Sequence, residues 1–218
     1  LPQISSEDRT YAHDLVIYED SQVIVFDKPS GLAVQGGGGV SRSLDDLLVA
    51  FAKSNGKKPR LVHRLDRDTS GVMVFALTPY AQRHLGLQFE KRMTRKTYVA
   101  RVRGKLTPKT GTVDLPLIVD WENRPRQMVD HENGKVAQTD WRVQRHEGET
   151  TRVQLMPKTG RSHQLRVHML SLGHPILGDP FYSEDFEDYP RMMLHSEELR
   201  LKHPEGGISM KFRAKAPF

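Results

Sequence analysis

Residues 60–78 read RLVHRLDRDTSGVMVFALT, with Asp66 near the middle. Two apolar runs, Leu61-Val62 and Val72 to Leu77, have the composition of buried strands. Between them, His63 to Gly71 carries an acid flanked by Arg64 and Arg67 and closes on Thr69-Ser70-Gly71. A charged loop between two buried strands adds little to a core. It presents one carboxylate from a rigid support, so Asp66 is the first candidate for chemistry.

Around this unit the chain reads mostly as strands. Leu15–Tyr18 and Gln22–Phe26 form a pair joined at Glu19-Asp20-Ser21, and Gly36–Gly39 is a flexible loop. Ser43, with Asp46 three residues on, predicts a capped helix whose face is Leu44, Leu47, Leu48 and Phe51. Thr78-Pro79 opens a second helix through Leu85 and Phe89. Strands are expected at about 96–103, 112–119, 136–145 and 150–156, and in the tail near 198–202 and 208–213. Ser162 is expected to cap a third helix, His163 to Leu172, ended by Gly173. Many strands with about three helices and no regular alternation predict an α+β fold built on a large mixed or antiparallel sheet. Residues 1–13 are expected to be a flexible arm, and 14–218 a single catalytic domain.

Composition narrows the function. No apolar run is long enough to span a membrane, and no basic-then-apolar leader opens the chain; Leu1 points to a natural chain that begins earlier. The absence of cysteine excludes disulfide and thiolate chemistry and fits a reducing, cytoplasmic setting. The net charge of +6 fits a polyanionic partner. Residues 91–105, KRMTRKTYVARVRGK, hold seven Lys or Arg and no acid, and a second basic stretch includes Arg200, Lys202, Lys211, Arg213 and Lys215. Gly36–Gly39 lacks the Gly-Lys-Ser/Thr of a phosphate-binding loop. His163 and His168, five apart, fall on different helix faces, so no metal site is expected.

Five ordered blocks carry a resemblance. His63-Arg64-Leu65-Asp66 with Thr69-Ser70-Gly71, Lys28-Pro29-Ser30-Gly31-Leu32, Lys96-Thr97-Tyr98-Val99-Ala100, Thr159 to His168, and Leu177-Gly178-Asp179 with Leu194-His195 resemble the RluA-type pseudouridine synthases. Val113 to Leu117, Asp120-Trp121 and Asn123-Arg124-Pro125 resemble the RluA branch itself. The resemblance implies the pseudouridine synthase fold with a central cleft, and isomerisation of uridine in 23S-type ribosomal RNA, the tRNA anticodon arm or both. It implies a monomer with no protein partner and no cofactor. Some relatives carry a small N-terminal RNA-binding domain, for which there is no room before Lys28-Pro29.

The resemblance makes Asp66 the nucleophile, with C1′ of the ribose and C6 of the uracil both open as points of attack. It makes Arg166 the cation that keeps Asp66 ionised, and places Arg161, His163 and Leu194 at the substrate. Tyr98, between basic residues on a strand, has a ring that can stack on an extruded uracil and a hydroxyl that can relay the C5 proton. Arg64 is long enough to fill the gap the uridine leaves. Two other readings compete: an RNA-binding chaperone of the same fold, and a hydrolase pairing Asp66 with Asp68. The first has no need of a nucleophile. The second has two acids in one loop that do not obviously flank a scissile bond.

Overall fold

A computed structural model describes residues 3–218. In chain order its elements are α1 (Ser6–Asp14), β1 (Val16–Glu19), β2 (Val23–Lys28), α2 (Leu44–Leu47), β3 (Arg60–Leu61), β4 (Ser70–Ala76), α3 (Pro79–Glu90), β5 (Arg95–Arg103), β6 (Thr110–Asp114), β7 (Leu117–Val119), β8 (Gln127–Val129), β9 (Gln138–Glu147), β10 (Thr150–Pro157), α4 (Gln164–Ser171), β11 (Leu194–Lys202) and β12 (Ser209–Arg213). Ten strands form one hydrogen-bonded sheet and β7–β8 a separate ribbon, so the class is α+β as the pattern predicts. The chain divides into two compact units: the first runs through Thr94 and resumes over Glu197–Lys215, the second holds Arg95–Ser196 and Ala216–Phe218. The sequence reading treats 14–218 as one domain. The crossings carry no linker signal, because the chain passes just before β5 and inside β11.

In the first unit β2 pairs antiparallel with β1 and β4, and the register sets Lys28 opposite Gly71, at the end of the Asp66 loop. All of β4 is buried, because both of its faces are covered. Val23, Val25, Val72 and Val74 pack with Ala81 and Leu85 of α3. Phe26 meets Phe51 and Phe75 at ring-centroid distances of 5.4 and 5.5 Å. Thr78 caps α3 through the Ala81 N–H, and Ser43 with Asp46 forms the capping box of α2. The segment expected as a loose arm contains α1; Leu1 and Pro2 lie outside the described residues. Ser5 caps α1, buried Ala12 faces inward, and His13 packs on Phe51 at 4.7 Å.

In the second unit β5, β10, β9 and β6 form an antiparallel run, and α4 buries Leu165 and Met169 among Ala100, Val153, Leu155 and Leu194. The strand expected over 112–119 is broken at Leu115-Pro116. Proline has no N–H for the ladder, and Leu117–Val119 pairs instead with β8, which the pattern did not foresee. Ser162 does not cap α4. The cap residue is His163, in the left-handed region at φ 54°, with no side-chain cap bond.

Candidate active site

The loop carrying Asp66 is held by main-chain contacts from the Lys28-Pro29-Ser30-Gly31 turn. Lys28 is fully buried. Its ammonium donates to the carbonyls of Pro29 (2.9 Å), Leu32 (2.8 Å) and Arg67 (2.9 Å). Three donors thus find three acceptors in charge-assisted bonds. The Gly31 N–H also donates to the Arg67 carbonyl, and the Ser30 hydroxyl donates to that of Asp68 at 2.6 Å. On the other flank, His63 stacks on Phe89 at 4.4 Å and 9°, and its Nε2 accepts the Val74 N–H at 3.0 Å. Its ring proton therefore sits on Nδ1. Leu65 and Thr69 are buried, Asp66 is half-buried, and Arg64 and Arg67 are exposed. Arg67 turns to its neighbour Asp68 at 3.3 Å, a solvated contact of little energetic weight. The result is a carboxylate on a short loop whose backbone cannot drift.

The second unit brings Arg161, His163 and Arg166 together on one segment. Arg166 is 2% exposed on α4 and grips Asp179 with two parallel bonds, Nε to Oδ2 at 2.8 Å and Nη2 to Oδ1 at 2.7 Å. Its guanidinium lies 5.4 and 5.3 Å from the rings of Phe181 and Tyr182. Asp179 also accepts the Phe181 N–H at 3.0 Å. The sequence reading gives Arg166 no acid within its own segment. It matches Leu177-Gly178-Asp179 as a block without a role, although an acid beside a buried arginine is the signal that would have assigned one.

The Tyr182 hydroxyl accepts the Gln127 N–H at 2.8 Å and lies 2.6 Å from His163 Nδ1. Gln164, also unassigned from sequence, is saturated: it accepts from the Thr159 hydroxyl (2.6 Å) and Arg161 N–H (3.1 Å), and donates to the Gln138 carbonyl (2.9 Å) and Thr139 Oγ1 (3.0 Å). Arg161 Nε donates to the Val136 carbonyl at 2.9 Å. Tyr98 lies half-buried on β5, opposite Leu155 and against the core. Leu194, expected at the substrate, is 3% exposed within that core. His168 bonds Thr139 and the Leu115 carbonyl, and burial pulls its pKa below the usual histidine value. Among the described residues no three His, Asp or Glu are grouped to hold a metal.

A family model described as RNA pseudouridylate synthase matches residues 22–171. The chain is 49% identical over 94% of its length, and 94% of the relative's, to a dual-specificity RNA pseudouridine synthase RluA of Escherichia coli (strain K12). It is 47% identical to the protein of that name from Yersinia pestis, over 94% of this chain and all of that one. Among solved structures, human RNA Pseudouridylate Synthase Domain Containing 1 superposes with a TM-score of 0.80 at 30% identity, over 93% of this chain and 83% of that one.

Proposed function

The chain belongs to the RNA pseudouridylate synthase family, and on that premise we propose that it isomerises specific uridines in structured RNA with Asp66 as nucleophile. The reaction breaks the bond from C1′ to N1 of the uracil, turns the base and joins C1′ to C5. It is redox-neutral and moves no phosphate, so the roles fall to side chains. Asp66 attacks C1′ or C6. Tyr98 stacks on the extruded base and relays the C5 proton. Arg166 supplies the cation that favours an ionised nucleophile, Arg64 fills the vacated stack, and Arg161, His163 and Leu194 contact the substrate.

The observation that carries this reading is the clamped loop: a half-buried Asp66 whose following carbonyls are fixed by a buried ammonium and a hydroxyl. Such rigidity suits a nucleophile that must meet a carbon at a set distance and angle. The relatives' name, dual-specificity RNA pseudouridine synthase, fits action on two kinds of RNA, which we read as large-subunit ribosomal RNA and the tRNA anticodon arm. We read 14–218 as one catalytic domain, working as a monomer in the cytoplasm. No helix among the described residues is long and apolar enough to cross a membrane. The test is tritium release from RNA labelled at uracil C5, with the modified positions mapped in both RNA classes. Release is expected from the wild-type chain, and no release from either class would refute the proposal.

A further inference from the structure

Lys96 is the second residue of β5, two before Tyr98 and therefore on the same face of the strand. It is half-buried, and burial pulls its pKa below the usual lysine value with no other group contributing. Among the described residues its ammonium makes no hydrogen bond and no ion pair. The contrast with two other lysines is sharp. Lys158, one residue before the turn that faces Lys96, has Asp140 at 3.5 Å, and Lys28, the fully buried lysine, has three carbonyls.

Gly160 lies against the Lys96 ammonium. A Cβ at that position would lie 3.3 Å from Nζ, and Nζ is the only atom it would approach within 4 Å. The φ of Gly160 lies outside the left-handed region, so the backbone does not require glycine there. What the missing side chain leaves is access to the ammonium. The turn itself is stiff: Thr159 and Arg161 are both tied to Gln164, and Gln138 N–H donates to Thr159 Oγ1 at 3.0 Å. Arg161, the residue after Gly160, uses Nε on the Val136 carbonyl and has no carboxylate partner among the described residues.

A shielded ammonium without an anion is costly to keep. One cation against a bare glycine in a rigid turn, and a second on the next residue, both without carboxylates, form a place suited to an anion. We propose that Lys96 and Arg161, beside Gly160, seat one phosphodiester of the RNA strand, with Lys96 as a substrate-positioning residue. This rests on the RNA-modifying function above and deepens it. A phosphate oxygen would meet the ammonium in a charge-assisted bond of about 2.7–2.9 Å. Lys96 and Tyr98 share one strand face, so a seated phosphate would fix the strand near the ring that takes the base. Phosphate contacts set register and carry little sequence information, so the seat would govern affinity and turnover but not which uridine is chosen.

The test uses the full chain and an anticodon stem-loop RNA with a uridine in its loop. Binding is measured across a salt series for wild type, Lys96→Met and Lys96→Arg. Lys96→Met is expected to weaken binding about tenfold and to reduce the log–log salt slope by about 0.7–0.9; Lys96→Arg should restore both. A linkage scan then replaces single phosphodiesters by neutral methylphosphonates at 2′-deoxy positions, each against its 2′-deoxy phosphodiester control. In wild type one linkage should cost affinity, and in Lys96→Met that linkage should cost nothing further. The Lys96-dependent part of binding should also fade with rising pH earlier than an exposed lysine would allow. Thermal unfolding guards against misfolding: removing a half-buried charge without a counter-ion should leave the midpoint unchanged or raised. An unchanged salt slope, or methylphosphonate losses that simply add to the Lys96→Met loss at every linkage, would overturn the seat. Tritium release by wild type on the same RNA separates the two readings. An active wild type with an unchanged slope defeats only the seat, whereas an inactive wild type on every RNA defeats the enzymatic reading.

Discussion

Asp179→Asn is the most informative single change outside the proposed nucleophile. Asp179 is fully buried, and both of its carboxylate oxygens are committed to Arg166 at 2.7 and 2.8 Å. The asparagine keeps one acceptor and turns an NH2 toward guanidinium N–H groups. The Arg166 charge then stays buried against Phe181 and Tyr182 without this counter-ion. Breaking one side of such a pair costs about 3–5 kcal/mol. For a chain of this size each kcal/mol moves the midpoint by about 2–4 °C, which gives a fall of roughly 6–20 °C. Urea denaturation followed by tryptophan fluorescence measures the loss directly. The double variant Arg166→Met with Asp179→Leu should recover most of the stability, since apolar groups often replace a buried ion pair at little cost. It should recover none of the tritium release, because the cation is gone. A loss below about 1 kcal/mol for Asp179→Asn would show that the Arg166 charge does not depend on Asp179. An active double variant would remove Arg166 from the reaction.

Asp66→Asn should abolish tritium release while RNA affinity stays within about twofold, because an amide of similar size cannot act as the nucleophile; clear residual turnover would end the assignment. Tyr98→Phe should bind nearly as wild type, keeping stacking worth about 1–3 kcal/mol per base, yet turn over more slowly; wild-type rates would confine Tyr98 to stacking. Lys28→Met should cost about 2–4 kcal/mol net, lost charge-assisted bonds being partly offset by the desolvation no longer required, and should speed amide exchange at Gly31 and Thr69; unchanged protection there would show that the ammonium does not hold the loop. At Asp20 burial alone would raise the carboxyl, but Gln22 and Val23 N–H groups, Tyr18 and His203 outweigh it, and the pKa is lowered. Its contribution is present above the unfolded value and is lost as pH falls through the folded one, so Asp20→Asn should flatten the acid limb of a stability–pH curve; an unaltered limb would contradict this.

The elements legible in the sequence are those whose signal is local. Thr78-Pro79 and Ser43 with Asp46 announce α3 and α2 through a cap and its partner three residues away. The apolar run of β4 announces a strand covered on both faces. The same cap logic applied at Ser5, with Asp8 three residues on, would have found α1. That helix buries only Ala12, so its apolar periodicity is too weak to draw attention. The α4 start was misread because serine is a common cap, yet His163 takes the left-handed turn and Gln164 folds back to tie Thr159 and Arg161. Asp66 was legible as a motif in a loop. Its clamp was not, because Lys28 and Arg67 lie 39 residues apart and no periodicity links them. Asp179 stayed unread for the same reason, 13 residues beyond Arg166 in an irregular segment.

These long-range partners share one physical logic. A loop that must hold a reacting group cannot be fixed by apolar packing alone, since its backbone polar groups need partners. In this chain buried polar side chains supply them: Lys28 saturates carbonyls beneath Asp66, and Gln164 saturates the turn at Gly160. Asp179 does the corresponding work for Arg166, giving a buried charge its counter-charge. Each of these heads is satisfied within the protein, as burial demands. Lys96 is shielded but meets no acceptor, and the residue its ammonium lies against, Gly160, has no side chain. The rule that identifies the first three as scaffold therefore marks Lys96 as the point where the scaffold stops and a ligand's charge is needed to complete it.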